Sequence, residues 1–213
     1  MNQRTRIKIC GIRTPEQAQW AVDAGVDAIG LIFCEKSIRV VTLEQARAIY
    51  SILPPYVTAV SVFVDPELAL VQTITKALPT TLLQFHGQET ENFCAAFARP
   101  YIKAVPMQAD TDINAYCTRY ASAQGLLLDT ANAQGFGGVG QAFDWALISK
   151  KLSKPIILAG GLNIDNVAQA IQAVRPFALD INSGVESSKG VKDQTKIQQC
   201  IREVRRVELS ITG

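Results

Sequence analysis

Residues 6–33 read RIKICGIRTPEQAQWAVDAGVDAIGLIF. A short β-rich run, Arg6 to Cys10, leads through Gly11 to Pro15, a residue that the first helical turn tolerates; an amphipathic stretch follows, then a second apolar run, Asp27 to Phe33. That is a strand, a crossover helix and the next strand, the repeating unit of a parallel sheet. The alternation continues along the chain. Strands are predicted at Arg6 to Cys10, Asp27 to Phe33, Tyr56 to Phe63, Thr81 to Phe85, Tyr101 to Pro106, Gly125 to Asp129, Pro155 to Ala159 and Phe177 to Ile181. Helices are predicted to begin near Pro15, Leu43, Pro66, Glu89, Thr111, Asp144, Asn163 and Lys192, with Asp144 and Asn163 as N-cap types.

Eight such units in 213 residues leave about 27 residues each, close to the minimum for a strand, a helix and two loops; a sparsely decorated (β/α)8 barrel runs at roughly 200 residues. The expected fold is therefore α/β, a single-domain (β/α)8 TIM barrel spanning 1–213, with no Pro-rich or Gly/Ser-rich linker dividing it. An open doubly wound sheet has the same alternation and stays as the competing architecture.

Composition narrows the function classes. The chain is 48% hydrophobic and 19% charged, with 21 Lys and Arg against 19 Asp and Glu for a net charge of +2. The two signs are interleaved, without the basic run a nucleic-acid arm needs, so nucleic acid is not an expected partner. Met1 to Lys8 leads into too few apolar residues for a signal peptide or a membrane span, and a cytoplasmic protein without membrane contact is expected. Five cysteines, Cys10, Cys34, Cys94, Cys117 and Cys200, are odd in number and form no CxxC pair, which argues for reduced thiols rather than disulfides or a zinc site. With His86 as the one histidine, no histidine-cluster metal site is expected. Monomer and homodimer both stay open.

Alternate residues of a barrel strand face the helices or the interior. In the first strand Ile7 and Ile9 suit the helix side, which turns Lys8 and Cys10 inward; in Leu126-Leu127-Leu128-Asp129 the same rule turns Asp129 inward, and in Leu179-Asp180-Ile181 it turns Asp180 inward. Three strands thus aim Cys10, Asp129 and Asp180 at the C-terminal mouth, where barrel active sites are built. A free thiol has a pKa near ~8.5, so a modest favourable shift would make Cys10 a base or nucleophile. Asp129, ending an apolar strand, suits a general acid. A buried small hydrophobe and a capping carboxylate are the respective alternatives. Arg39, in the loop after the second strand, could hold a substrate carboxylate or be a solvated surface residue. His86 sits at the mouth by the same count, in a binding or a structural role. Lys8 and Lys103 read as possible inward lysines, either ion-paired or able to form a Schiff base, which keeps an aldolase or lyase in view.

Three glycine-bearing loops complete the inventory. Gly135 to Gly140 spells GxGxxG, but it neither follows a strand directly nor opens a helix, so a mobile active-site loop over 130–143 fits better than a dinucleotide site. Ala159-Gly160-Gly161-Leu162-Asn163 and Asn182-Ser183-Gly184-Val185-Glu186 follow the seventh and eighth strands, where barrels frequently bind phosphate; each alone would pass for an ordinary tight turn.

Taken together, Lys8-Ile9-Cys10-Gly11-Ile12, Lys36-Ser37-Ile38-Arg39, Gln84-Phe85-His86-Gly87, Leu128-Asp129, Gly137-Gly138-Val139-Gly140-Gln141-Ala142-Phe143-Asp144-Trp145, Leu158-Ala159-Gly160-Gly161-Leu162 and Asp180-Ile181-Asn182-Ser183-Gly184-Val185-Glu186, followed by Gly190-Val191-Lys192-Asp193, resemble the phosphoribosylanthranilate isomerases of tryptophan biosynthesis. The resemblance covers essentially the whole chain. It implies a TIM barrel and a cofactor-free Amadori rearrangement of a phosphorylated small-molecule substrate. It further implies Cys10 as general base, Asp129 as general acid, Arg39 on the anthranilate carboxylate, and Gly160, Gly161, Asn182, Ser183 and Gly184 at the phosphate. His86 and Asp180 match further substrate-site positions. Ile38, Phe85 and Val139 depart from residues frequent in the family and touch loop packing rather than the acid, the base or the carboxylate clamp. A non-catalytic barrel that binds a phosphorylated metabolite is the remaining alternative.

Overall fold

The computed structural model describes residues 4–78, 82–131, 142–149 and 151–212. Eight parallel strands close in chain order into a barrel: β1 Arg6–Cys10, β2 Ala28–Ile32, β3 Thr58–Phe63, β4 Leu82–Phe85, β5 Tyr101–Met107, β6 Gly125–Thr130, β7 Ile156–Leu158 and β8 Ala178–Ile181. Closure is made by β1, whose Lys8 stands opposite Ala28 of β2 and Asp180 of β8. The open sheet is thereby excluded. Around the barrel lie α1 Pro15–Asp23, α2 Leu43–Ser51, α3 Leu68–Ala77, α4 Glu91–Ala95, α5 Ile113–Arg119, α6 Val167–Val174 and α7 Gln194–Thr212.

The two-residue period of each strand sorts its side chains into two cores. Ile7, Ile9, Leu31, Phe63 and Phe85 face the helices in the main outer cluster, and each fully buried aliphatic or aromatic side chain there contributes roughly 1.5–3 kcal/mol. Ile102, Ala104, Leu127, Ile157 and Ala178 fill part of the interior, and Cys10, Ile32, Val60 and Val62 form a second interior cluster. The predicted facing of β1, β6 and β8 holds. Lys103 departs from its expected facing: between Ile102 and Ala104 of the interior cluster, it points into the helix layer, where Nζ donates to the carbonyls of Phe85, Gly87 and Ala104 and pairs with Glu89 at 3.3 Å.

Helix starts follow their caps. Thr14 accepts from Gln17 N–H, Thr42 forms a reciprocal capping box with Gln45, Thr90 caps Phe93 N–H and Asp112 caps Ala115 N–H. Three expectations shift. Asn163 does not cap α6: its Oδ1 accepts from Asp165 N–H, and this local turn delays the helix to Val167. Around Asp144 only a single 3-10 turn, Trp145–Leu147, forms among the described residues; Phe143, Ile148 and Leu152 pack against the β5–β6 face. A one-turn segment gains too few hydrogen bonds to repay nucleation. Lys192 does not open the last helix. It ends β10 Val191–Lys192, which pairs antiparallel with β9 Glu186–Ser188, and Asp193 accepts from Lys196 N–H to start α7.

Candidate active site

A cavity of about 420 Å³ opens at the C-terminal ends of the strands. Cys10 from the end of β1, Asp129 from the end of β6 and Asp180 from the end of β8 all line it. Arg39 and His86 reach it from the loops after β2 and β4. Gly160, Gly161, Asn182 and Ser183 line it from the loops after β7 and β8.

Cys10 is 5% exposed and sits beside Gly30 of β2. A Cβ at Gly30 would lie 2.7 Å from Cys10 Sγ and 3.1 Å from Lys8 Cε, so this glycine leaves the room both side chains occupy. Burial pushes the Cys10 thiol above its ordinary value and the Asp180 carboxylate adds to the rise, while Lys8 and Lys192 pull the other way. The favourable shift expected from the sequence is therefore corrected in sign: the surroundings favour the thiol over the thiolate. Lys8 Nζ donates to Asp180 Oδ2 at 2.7 Å, both side chains being 6% exposed. Burial alone would lower the Lys8 pKa, but Asp180 and Cys10 outweigh it and the ammonium is held. Asp180 Oδ1 is buried and has no hydrogen-bond partner among the described residues.

Asp129 is 9% exposed. Its Oδ1 accepts from Thr130 N–H at 2.8 Å, and its Oδ2 lies 3.2 Å from His86 Nε2. On the other side of the His86 ring, Gln84 Nε2 donates to Nδ1 at 3.0 Å. Gly160, at φ +84°, packs so closely here that a Cβ would collide with Thr130 and reach 3.2 Å from Asp129 Oδ1. Both its backbone angle and its contact require glycine.

Arg39 forms a two-pronged pair with Glu186, Nε to Oε1 at 2.7 Å and Nη2 to Oε2 at 2.8 Å. Its chain lies across Gly11, where φ is +74° and a Cβ would sit 2.7 Å from Arg39 Cδ. The fork engages two donor sites; among the described residues no side chain takes the other N–H groups of the guanidinium, which lines the cavity. Glu186 is in turn bonded by Lys192 Nζ at 2.9 Å, which also donates to Asn182 Oδ1 and to the Asn182 carbonyl. Burial would raise the Glu186 pKa, but the Arg39 and Lys192 contacts and the Gly190 N–H bring it down to about 2. Lys192 moves down as well, because burial of its ammonium outweighs the Glu186 attraction. Glu186 and Lys192 are site residues whose roles the sequence did not reveal. The signal was present in Asp193, whose side chain marks the helix start one residue later and leaves Lys192 outside the helix.

The two phosphate-type loops are joined by a parallel bridge between Asn163 and Gly184. Gly184 stands behind the cavity wall: a Cβ there would strike the Leu162 carbonyl, so its part is to let the loops touch. Gly160 and Gly161, both with positive φ, present backbone toward the cavity beside Ser183. The GxGxxG run Gly135 to Gly140, and with it most of the expected loop 130–143, lies outside the described residues, as does Thr81. Lys103 does not reach the cavity, and its ammonium is held by three carbonyls and Glu89, which removes it as a Schiff-base amine.

Polar groups gathered at the C-terminal rim of a closed parallel barrel define a (β/α)8-barrel enzyme. Comparison with known proteins makes this specific. A family model described as N-(5'phosphoribosyl)anthranilate (PRA) isomerase matches residues 7–203, and the chain belongs to that family. It is 53% identical over 201 residues to the N-(5'-phosphoribosyl)anthranilate isomerase of Pseudomonas fluorescens strain Pf-5, covering 94% of this chain and 96% of that one. The phosphoribosyl anthranilate isomerase structure from Thermotoga maritima superposes with a TM-score of 0.87 at 38% identity, covering 95% of this chain and 99% of the other. A phosphoribosyl anthranilate isomerase in complex with reduced 1-(o-carboxyphenylamino)-1-deoxyribulose 5-phosphate superposes with a TM-score of 0.83 at 36% identity, over 95% and 99% of the two chains.

Proposed function

We propose that residues 1–213 form one catalytic domain converting N-(5'-phosphoribosyl)anthranilate to 1-(2-carboxyphenylamino)-1-deoxyribulose 5-phosphate, with Asp129 as general acid and Cys10 as general base. The observation that carries the assignment is that these two side chains, from strands on different sides of the barrel, line one cavity in unlike surroundings. Asp129 gives its proton to the furanose ring oxygen, the aryl amine nitrogen pushes the C1–O bond open, and an iminium and a free hydroxyl result. The iminium acidifies the C2 proton. Cys10, as the thiolate, removes it to give the enolamine, which tautomerises to the ketone. Asp129 gives one proton and Cys10 takes one, ketonisation replaces the C2 hydroxyl proton with one on C1, and return of the Cys10 proton to Asp129 through solvent restores the enzyme, so substrate and product have the same composition.

Arg39 holds the anthranilate carboxylate with the donors that Glu186 leaves. The backbone of Gly160 and Gly161 and the Ser183 turn take the phosphate, with Asn182 fixed beside them by Lys192. The unpartnered Asp180 Oδ1 accepts a sugar hydroxyl, which answers an otherwise unmet buried acceptor. His86 contacts the acid. We assign the reaction to the cytoplasm, a reading that the five unpaired thiols support, since a reducing compartment keeps such thiols free.

The direct experiment adds purified protein to freshly prepared phosphoribosylanthranilate and follows anthranilate-type fluorescence. Enzyme-dependent decay is expected; binding without a change over time would leave only a metabolite-binding barrel. Arg39→Ala is expected to raise KM for the substrate about tenfold to roughly 150-fold, the range of a hydrogen bond to a charged group. Unchanged KM in that variant would remove the carboxylate clamp.

A further inference from the structure

Gln84 lies on the interior face of β4 and is 1% exposed. It stands level with Val62 of β3 and Ile102 of β5, both interior aliphatic residues. A primary amide in such a layer carries a penalty, and here the penalty is visible: Gln84 Oε1 is buried with no hydrogen-bond partner among the described residues. Among the described residues the side chain makes one bond, from Nε2 to His86 Nδ1 at 3.0 Å. The His86 backbone is fixed independently, since Lys103 binds the carbonyls of Phe85 and Gly87 on either side of it and Glu89 binds the Gly87 N–H. What the amide adds is control of the ring.

Resting on the acid role of Asp129, we propose that Gln84 is a positioning residue that fixes the His86 tautomer and, through it, directs the Asp129 proton to substrate. An amide N–H at Nδ1 requires a lone pair there, so the ring proton resides on Nε2, which faces Asp129 Oδ2 across 3.2 Å. As Asp129 releases its proton, negative charge develops on its carboxyl, and the Nε2–H bond strengthens in the transition state. The opposite tautomer would present a lone pair to Oδ2. The Asp129 proton would then be held by the ring instead of pointing at the sugar oxygen.

Because His86 is the one histidine in the chain, histidine-selective ¹⁵N labelling yields a single ring whose two nitrogens report the tautomer directly. At a pH where the ring is neutral, the intact protein is expected to show Nε2 protonated. In Gln84→Met, of similar length and without a donor, the tautomers should mix and kcat fall about tenfold, the value of one ordinary hydrogen bond, with KM changed less than about twofold. In Gln84→Glu, nearly isosteric but an acceptor, the proton should move to Nδ1 and kcat fall further than in the Met variant. A packing role predicts no tautomer change in either variant. Nδ1 protonation in the parent, or parental tautomer and kcat in Gln84→Met, would overturn the proposal. The acid assignment is tested separately by Asp129→Asn: if that variant is inactive while Gln84→Met shifts the tautomer without lowering kcat, the positioning role alone fails.

Discussion

Asp129→Asn and Cys10→Ala will each lower kcat by roughly 10²–10⁴, the usual worth of one general acid or base, with both proteins folding as the parent does. The two substitutions remove different protons. Asparagine keeps the Oδ1 acceptor for Thr130 N–H and fits beside Gly160, so the local packing at β6 survives while the transferable proton is gone. Alanine at Cys10 deletes one small buried group that packs with Ile32, Val60 and Val62. The lost sulfur leaves a modest cavity, well short of a Leu→Ala change. The pH dependence of kcat/KM separates the partners. A base must be deprotonated to act, and burial together with Asp180 places the Cys10 thiol above its ordinary value, so the rising limb of kcat/KM lies on the alkaline side of the usual thiol range. Lys8 lies on the opposing side of that balance: Lys8→Met, which removes an ammonium that favours the thiolate, moves the limb further up. A rising limb centred below the ordinary thiol value, or parental turnover in either variant, would remove the corresponding residue from the mechanism.

The features readable in the sequence were those set by local periodicity. Ile7 and Ile9 facing out force Lys8 and Cys10 inward on any barrel, and Leu126 and Leu128 do the same for Asp129. The helix starts expected near Pro15, Leu43, Glu89 and Thr111 fall within two residues of the observed ones, whereas of the two residues read as caps Asp144 heads only a 3-10 turn and Asn163 no helix. The features that stayed hidden depend on partners far away in the chain. Arg39 and Glu186 are 147 residues apart, and neither residue advertises that the carboxylate will lock the guanidinium. Lys192 resembles a helix-opening surface lysine until the β9–β10 hairpin turns it onto Asn182 and Glu186. Lys103 shows the converse error. Its strand was placed correctly, but one residue of register decides the face, and with Ile102 and Ala104 inside it must be outside. Cys10 shows a third limit: its position was legible, whereas the sign of its shift depends on the surrounding burial and on Asp180 across the β1–β8 seam.

Lys192→Met will lower unfolding free energy by roughly 3–5 kcal/mol, because removing one member of a buried ion pair strands the other. Against a typical total of about 5–15 kcal/mol this is a large fraction, and it should appear as a drop of on the order of 1 M or more in the urea midpoint. The pair is not a source of net stability by itself. Glu186 is pulled down to about 2, which favours the folded state, but Lys192 is pulled down too, which means the folded site holds its ammonium less readily than water does. The double variant Lys192→Met with Glu186→Gln should therefore recover part of the loss, and a double variant as weak as the two single losses added together would contradict coupling between them. Acid titration supplies the second test. From an ordinary value of 4.5, the Glu186 carboxyl is depressed in the folded state, so between about pH 5 and pH 2 the unfolded chain binds the extra proton. Its contribution, on the order of 3 kcal/mol, is present at neutral pH and disappears as pH falls through that window, while Lys192 stays protonated and adds no slope. Lys192→Met removes one of the groups holding Glu186 down, which raises the folded carboxyl toward its ordinary value and flattens the acid limb. An acid limb of unchanged steepness in that variant would show that Arg39 and the Gly190 N–H hold the carboxylate without help from the lysine.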